Sequence, residues 1–244
     1  MKSIVLLCFL AGTFLFSQQS KQAEGAKNLR VLPKDISGEQ LTATMKGFTR
    51  ALGVRCNFCH VGEDGKPLSE FDFPSDQIPM KSIARDMLRL TTTINTQIKE
   101  IFYGGTEIPI EVTCATCHHG SIKPQRIEDI LWAKYEKAGI EQTVALYRDM
   151  RKKYYGSYTY DFREGVLITV ANTCEREKKM IDHAVLLLEL NAEFFPDSPR
   201  TLTHLASLYV EKKEPHKAKP LIAHVLAIDP NNEFAKRLQS QIGN

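Results

Sequence analysis

Two five-residue patterns constrain this chain more than anything else in it: Cys56-Asn57-Phe58-Cys59-His60 and Cys114-Ala115-Thr116-Cys117-His118. Cysteines three apart lie on one side of a helical turn, and the next residue is held beside them. That spacing lets two thiols reach the two vinyl groups of one porphyrin and puts an imidazole under its iron, which is the C-x-x-C-H signature of covalent c-type haem attachment. Three other readings compete. Structural zinc on four cysteines would need a shorter gap between the pairs and no repeated histidine. A thioredoxin-like redox pair would need a βαβ setting. Two disulfides would leave both histidines unexplained. The expected cofactors are therefore two covalent haem c groups, on Cys56, Cys59, Cys114 and Cys117, with His60 and His118 as axial ligands.

The amino terminus reads as an export signal over residues 1–17. Lys2 is followed by the apolar run Ile4–Phe16, too short to span a bilayer comfortably, and then by polar Gln18 and Gln19. Cys8 leaves with it; Val5-Leu6-Leu7 lacks the small residues expected beside a lipidated cysteine. The chain is expected to be periplasmic or otherwise extracytoplasmic, with membrane association left open. Its 244 residues are 43% hydrophobic and 25% charged, with net charge +3. So weak a balance gives no reason to expect a nucleic-acid partner.

Residues 18–37 read as a linker. Ser37 with Gln40 forms a capping box, and a helix is expected from Gly38 to Leu52, stopped by Gly53. Residues 61–79, rich in Gly and Pro, read as an irregular loop. A second helix is expected over Met80–Phe102, with Ile83, Met87, Leu90, Ile94 and Ile98 on one face, followed by an extended piece over Ile108–Val112. A haem-binding domain over 38–125 thus repeats helix, turn and C-x-x-C-H. The fold class is all-α.

A helical hairpin is expected over 126–162, from Ile127 to Ala138 and Ile140 to Tyr155, broken at Gly139. Over 163–244, Phe195-Pro196-Asp197-Ser198 and Asp229-Pro230-Asn231-Asn232 stand 34 residues apart, the tetratricopeptide period. Leu202, Leu205, Ala206, Tyr209, Ala218 and Ile222 fill the packing positions. Ile168, Ala171, Ala184 and Leu188 do so one unit earlier. A plain helical bundle is the alternative. Cys174 reads as a buried helix residue.

For the sixth ligand of the first haem, Met45 lies on the helix before the motif. For the second, Met87 is the parallel choice and Met80 the next. A core-packing role is the alternative for each. A thioether ligand raises the reduction potential relative to a second imidazole. His119 is expected to face solvent or a propionate. Arg50, Arg55, Arg85 and Arg89 lie near the motifs and are candidates to pair with haem propionates.

The stretch Met45 to His60 with Leu52-Gly53-Val54, the stretch Ala84-Arg85-Asp86-Met87 to Ile94-Asn95, and Cys114 to Gly120 together resemble the cytochrome c subunit of photosynthetic reaction centres. There, too, each unit is a methionine-bearing helix, a turn and C-x-x-C-H. The resemblance covers roughly residues 30–125. It implies electron transfer with redox partner proteins, and photosynthesis as one setting among others. The family's subunit carries four haems and this chain has two motifs, so it is similar to one half of that protein, followed by a helical tail suited to docking. Two other functions are compatible with the same motifs: a dihaem peroxidase-like enzyme with one iron open to substrate, and a haem-bearing interaction or assembly factor.

Overall fold

The computed structural model describes residues 26–103, 111–177 and 179–243. The leader over 1–17, the first part of the linker (18–25) and the start of the extended piece at Ile108 lie outside them. The named elements among the described residues are all helices, and Val61 and Asp72 form an isolated antiparallel bridge in the loop after the first motif. No described helix is long and apolar enough to cross a membrane.

Helix α1 runs Gly38–Leu52. The Ser37 hydroxyl accepts from Gln40 N–H while the Gln40 side chain accepts from Ser37 N–H, which satisfies two amides at the helix start. Gly53 ends the helix at φ 66°, a left-handed conformation that costs a side-chain-bearing residue. The chain then turns directly into the first motif, a 3₁₀ turn at Cys56–Phe58. The loop after it contains a second 3₁₀ turn, Leu68–Glu70. Helix α2 spans Pro79–Tyr103, and α3 is the five-residue Cys114–His118.

Helix α4 covers Ile127–Tyr154 and is interrupted at Gly139, whose φ of 80° and ψ of −179° no helix permits. There follow α5 Gly165–Arg176, α6 Ile181–Phe194, α7 Pro199–Glu211, α8 Pro215–Ile228 and α9 Glu233–Ile242. Each packs on the next, from α4 to α9. The starts of α5, α7 and α9 are 34 residues apart, as are those of α6 and α8. Ser198 and Asn232 cap α7 and α9 through their side chains.

The chain forms two compact units that divide between Ala115 and Thr116, ahead of the boundary expected at residue 125. The expected hairpin is part of the second unit, because Ile127, Leu131, Tyr147 and Met150 of α4 join Leu167, Leu188, Leu205 and Ile222 in one buried core. Ile168, Ala171, Ala184, Leu202, Ala206, Tyr209 and Ala218 are buried in it as well. Cys174 is fully buried there. The first unit is different. Among its described residues, the buried hydrophobic side chains are Ile36 and Ala51. A unit of this length ordinarily needs a larger core.

Candidate haem sites

The apolar residues that a core would claim in the first unit line a cleft instead. Leu41, Met45 and Phe48 of α1, Ala84 and Leu88 of α2, and Cys59 and His60 of the first motif share its walls. Its empty volume, open mouth included, is about 830 Å³. Met45, chosen from sequence, thus shares one cleft with His60.

His60 is held in place from the loop. Its Nδ1 lies 3.2 Å from the carbonyl oxygen of Phe73, and the Phe73 ring meets the imidazole edge-on at 5.0 Å. Phe71 stacks behind Phe73 at 5.6 Å. Phe71 in turn lies so close to Gly62 that a Cβ there would sit 2.4 Å from its ring, so the glycine is needed for the close approach. A backbone carbonyl on Nδ1 fixes the tautomer and leaves Nε2 with its lone pair, as metal-bound imidazoles require. Burial, then the charge of Lys81 and that of Arg85, hold the imidazole below its usual pKa against the opposing pull of the Phe73 hydrogen bond. That shift favours the neutral ring, the form that ligates a metal. Burial also pushes the Cys59 thiol up.

The second motif repeats the arrangement with different parts. His119 at φ 48° and Gly120 at φ 84° turn the chain back after α3. The Ser121 carbonyl thereby comes to lie 2.9 Å from His118 Nδ1. The Ser121 hydroxyl is 3.4 Å from the Tyr160 hydroxyl. The segment entering the motif is tied to α2, since the Asn95 side chain donates to Val112 O and accepts from Val112 N–H. A second cleft of the first unit, about 780 Å³, is lined by Phe48, Ala51, Leu88, Thr92, Val112 and Cys114 among others.

The remaining candidates are placed as follows. Met87 is 39% exposed, beside Ile83 and Leu90, and lines neither of these clefts. The apolar face expected on α2 is thus a half-exposed stripe. Met80 is half-buried in the first turn of α2, and His119 is exposed. Arg85 lines the first cleft, pairs with Asp76 at 2.9 Å and donates to Asn28 O. Arg50 is exposed at the end of α1, Arg55 pairs with Asp64 on the surface, and Arg89 with Asp86. Lys81, not singled out from sequence, lines the first cleft with only 12% of its side chain exposed. The Asp76 carboxyl is held well below the usual carboxylate range, first by the Asn28 amide and then by Lys81 and Arg85.

Among the described residues, no three His, Cys, Asp or Glu side chains converge as a bare metal-ion site would require. The donor set suits a porphyrin-borne iron. Each motif pairs two thiols with one oriented imidazole, and the first adds a thioether and an apolar cleft. When bound, the haem supplies a one-electron iron couple.

Comparison with known proteins agrees with this chemistry. The pattern that defines the family described as the photosynthetic reaction centre cytochrome C subunit matches residues 13–162, well over half the chain, and extends through α4. Cytochrome c-554 of Chloroflexus aurantiacus is 31% identical over 110 residues, which cover 44% of this chain and 23% of that protein. The chain thus matches about a quarter of that relative's length. A solved structure of PcrH in complex with the chaperone-binding region of PopB aligns with 47% of this chain and 90% of its own, at 10% identity and a TM-score of 0.31. With its methionine-bearing helix and C-x-x-C-H motifs inside the matched span, the chain belongs to the family of photosynthetic reaction centre cytochrome c subunits.

Proposed function

We propose that the protein is an extracytoplasmic dihaem c-type cytochrome that passes electrons between redox proteins. Cys56 and Cys59 hold the first haem and Cys114 and Cys117 the second, with His60 and His118 as axial ligands. The observation that carries this reading is the orientation of both motif imidazoles. Each has Nδ1 against a backbone carbonyl, Phe73 O or Ser121 O, which frees Nε2 for iron.

Met45 is the sixth ligand of the first haem, supported by its place in the cleft of His60. Leu41, Phe48 and Leu88 keep water from the porphyrin face, which adds to the thioether's effect in raising the potential. Met87 is assigned as sixth ligand of the second haem on sequence alone, and Arg85 as the propionate partner at the first. Thioether attachment belongs to exported chains, in line with the leader over 1–17. Helices α5 to α9, spaced at the tetratricopeptide period, form the docking surface for redox partners.

The test is the absorption spectrum and mass of the natively expressed protein. Low-spin c-type bands with two haems per chain support the reading. A high-spin band with peroxide turnover would favour an enzyme with an open iron instead.

A further inference from the structure

We propose that Lys81 sets the reduction potential of the first haem upward, acting through the Phe73 carbonyl that it shares with His60; this rests on the haem assignment above. The carbonyl oxygen of Phe73 lies 2.8 Å from Lys81 Nζ and 3.2 Å from His60 Nδ1. The shared acceptor keeps the ammonium within about 6 Å of the imidazole. Lys81 also donates to Pro74 O and Ser75 O, and pairs with Asp76 at 3.2 Å. Its side chain is 12% exposed and that of Arg85 11%. Both cations are little screened by water and face Asp76; with Arg85 assigned to a propionate, Lys81 is the cation whose charge acts on the His60 side. Arg30, which pairs with the other oxygen of Asp76 and also lines the cleft, is 61% exposed and so better screened by water.

Two effects follow, both of one sign. Oxidised haem carries one more positive charge than reduced haem, so a poorly screened ammonium nearby disfavours it. A carbonyl already bound to an ammonium is also a weaker acceptor for the imidazole N–H, which makes the ligand less basic and stabilises oxidised iron less. At the second motif, Ser121 O accepts from His118 at the shorter 2.9 Å, and no lysine donates to it among the described residues. Lys81 is therefore a positioning and tuning residue specific to one of two otherwise similar sites.

The experiment is a spectroelectrochemical titration of the full-length holoprotein and two variants. Lys81→Met should move one of the two one-electron waves to lower potential and leave the other in place. A tenfold change in the oxidised-to-reduced ratio at fixed potential reads as about 59 mV. Asp76→Asn, which removes the opposing charge, should move the same wave upward. A merely structural role in the 73–76 loop would shift both variants in one direction. That result, or an unmoved wave in Lys81→Met, overturns the proposal. Absence of haem from the parent protein would instead sink the cofactor assignment itself.

Discussion

Asn95 should control the approach to the second motif. Its side-chain amide closes both hydrogen bonds of Val112, at 2.9 Å to the carbonyl and 2.8 Å from the N–H, two residues before Cys114. Both bonds are partly buried and join neutral groups, so each contributes about 0.5–1.5 kcal/mol. Asn95→Ala removes both and should lower the opening free energy of this segment by about 1–3 kcal/mol. At 1.4 kcal/mol per factor of ten, exchange of the Val112 amide with solvent should accelerate roughly 5- to 150-fold. Hydrogen exchange read by NMR gives this rate directly. Amides in the middle of α2 and in the α5–α8 core serve as controls and should keep their parent rates. An unchanged Val112 rate, with those controls intact, would refute the clamp. Acceleration everywhere would show that Asn95 acts on the whole unit rather than on this segment.

Three further outcomes are expected. Met45→Leu keeps the cleft apolar at a cost below about 1.5 kcal/mol; it should abolish the sulfur-to-iron absorption feature and lower the first haem's potential, and an unchanged spectrum would remove Met45 as a ligand. Leu188, 0% exposed in the α4–α9 core, should cost about 2–5 kcal/mol when cut to Ala, seen as a lowered denaturation midpoint; a loss below 1 kcal/mol would contradict the packing. Because Asp76 has a depressed carboxyl pKa in the folded state, its stabilising contribution is present above the ordinary carboxylate value near ~4 and is lost only as pH falls from there toward the lower folded value. Its carboxyl carbon should still report an ionised group by NMR at pH 3, and an ordinary titration midpoint near 4 would contradict the Asn28, Lys81 and Arg85 contacts.

What was legible in the sequence was what short-range chemistry decides. The Ser37–Gln40 box and Gly53 fix both ends of α1 because caps act within four residues of themselves. The break at Gly139 is a property of one residue's backbone. The 34-residue spacing of the tail and its buried positions were readable because each helix there packs on its sequence neighbour. The contacts that build the first site were not readable. His60 finds Phe73 O thirteen residues on, and Lys81 reaches the same atom from α2. Asn95 meets Val112 across the end of a helix. Nothing in local pattern pairs such residues. Periodicity on α2 registered Ile83, Met87 and Leu90 as an apolar face, yet the residues lining the first cleft are Lys81, Ala84, Arg85 and Leu88. A stripe of apolar side chains says that a face avoids water and not what it meets. The two basic residues on the working face ran against the hydrophobic signal, and only the fold brings both to Asp76 and Lys81 to the Phe73 carbonyl that His60 shares.

The central claim is that each Cys-x-x-Cys-His motif carries a thioether-bound haem. Intact-mass and peptide mass spectrometry of the natively expressed protein tests it most directly. Two porphyrin additions are predicted, one on the peptide with Cys56 and Cys59 and one on the peptide with Cys114 and Cys117. Unmodified thiols at either pair would contradict it.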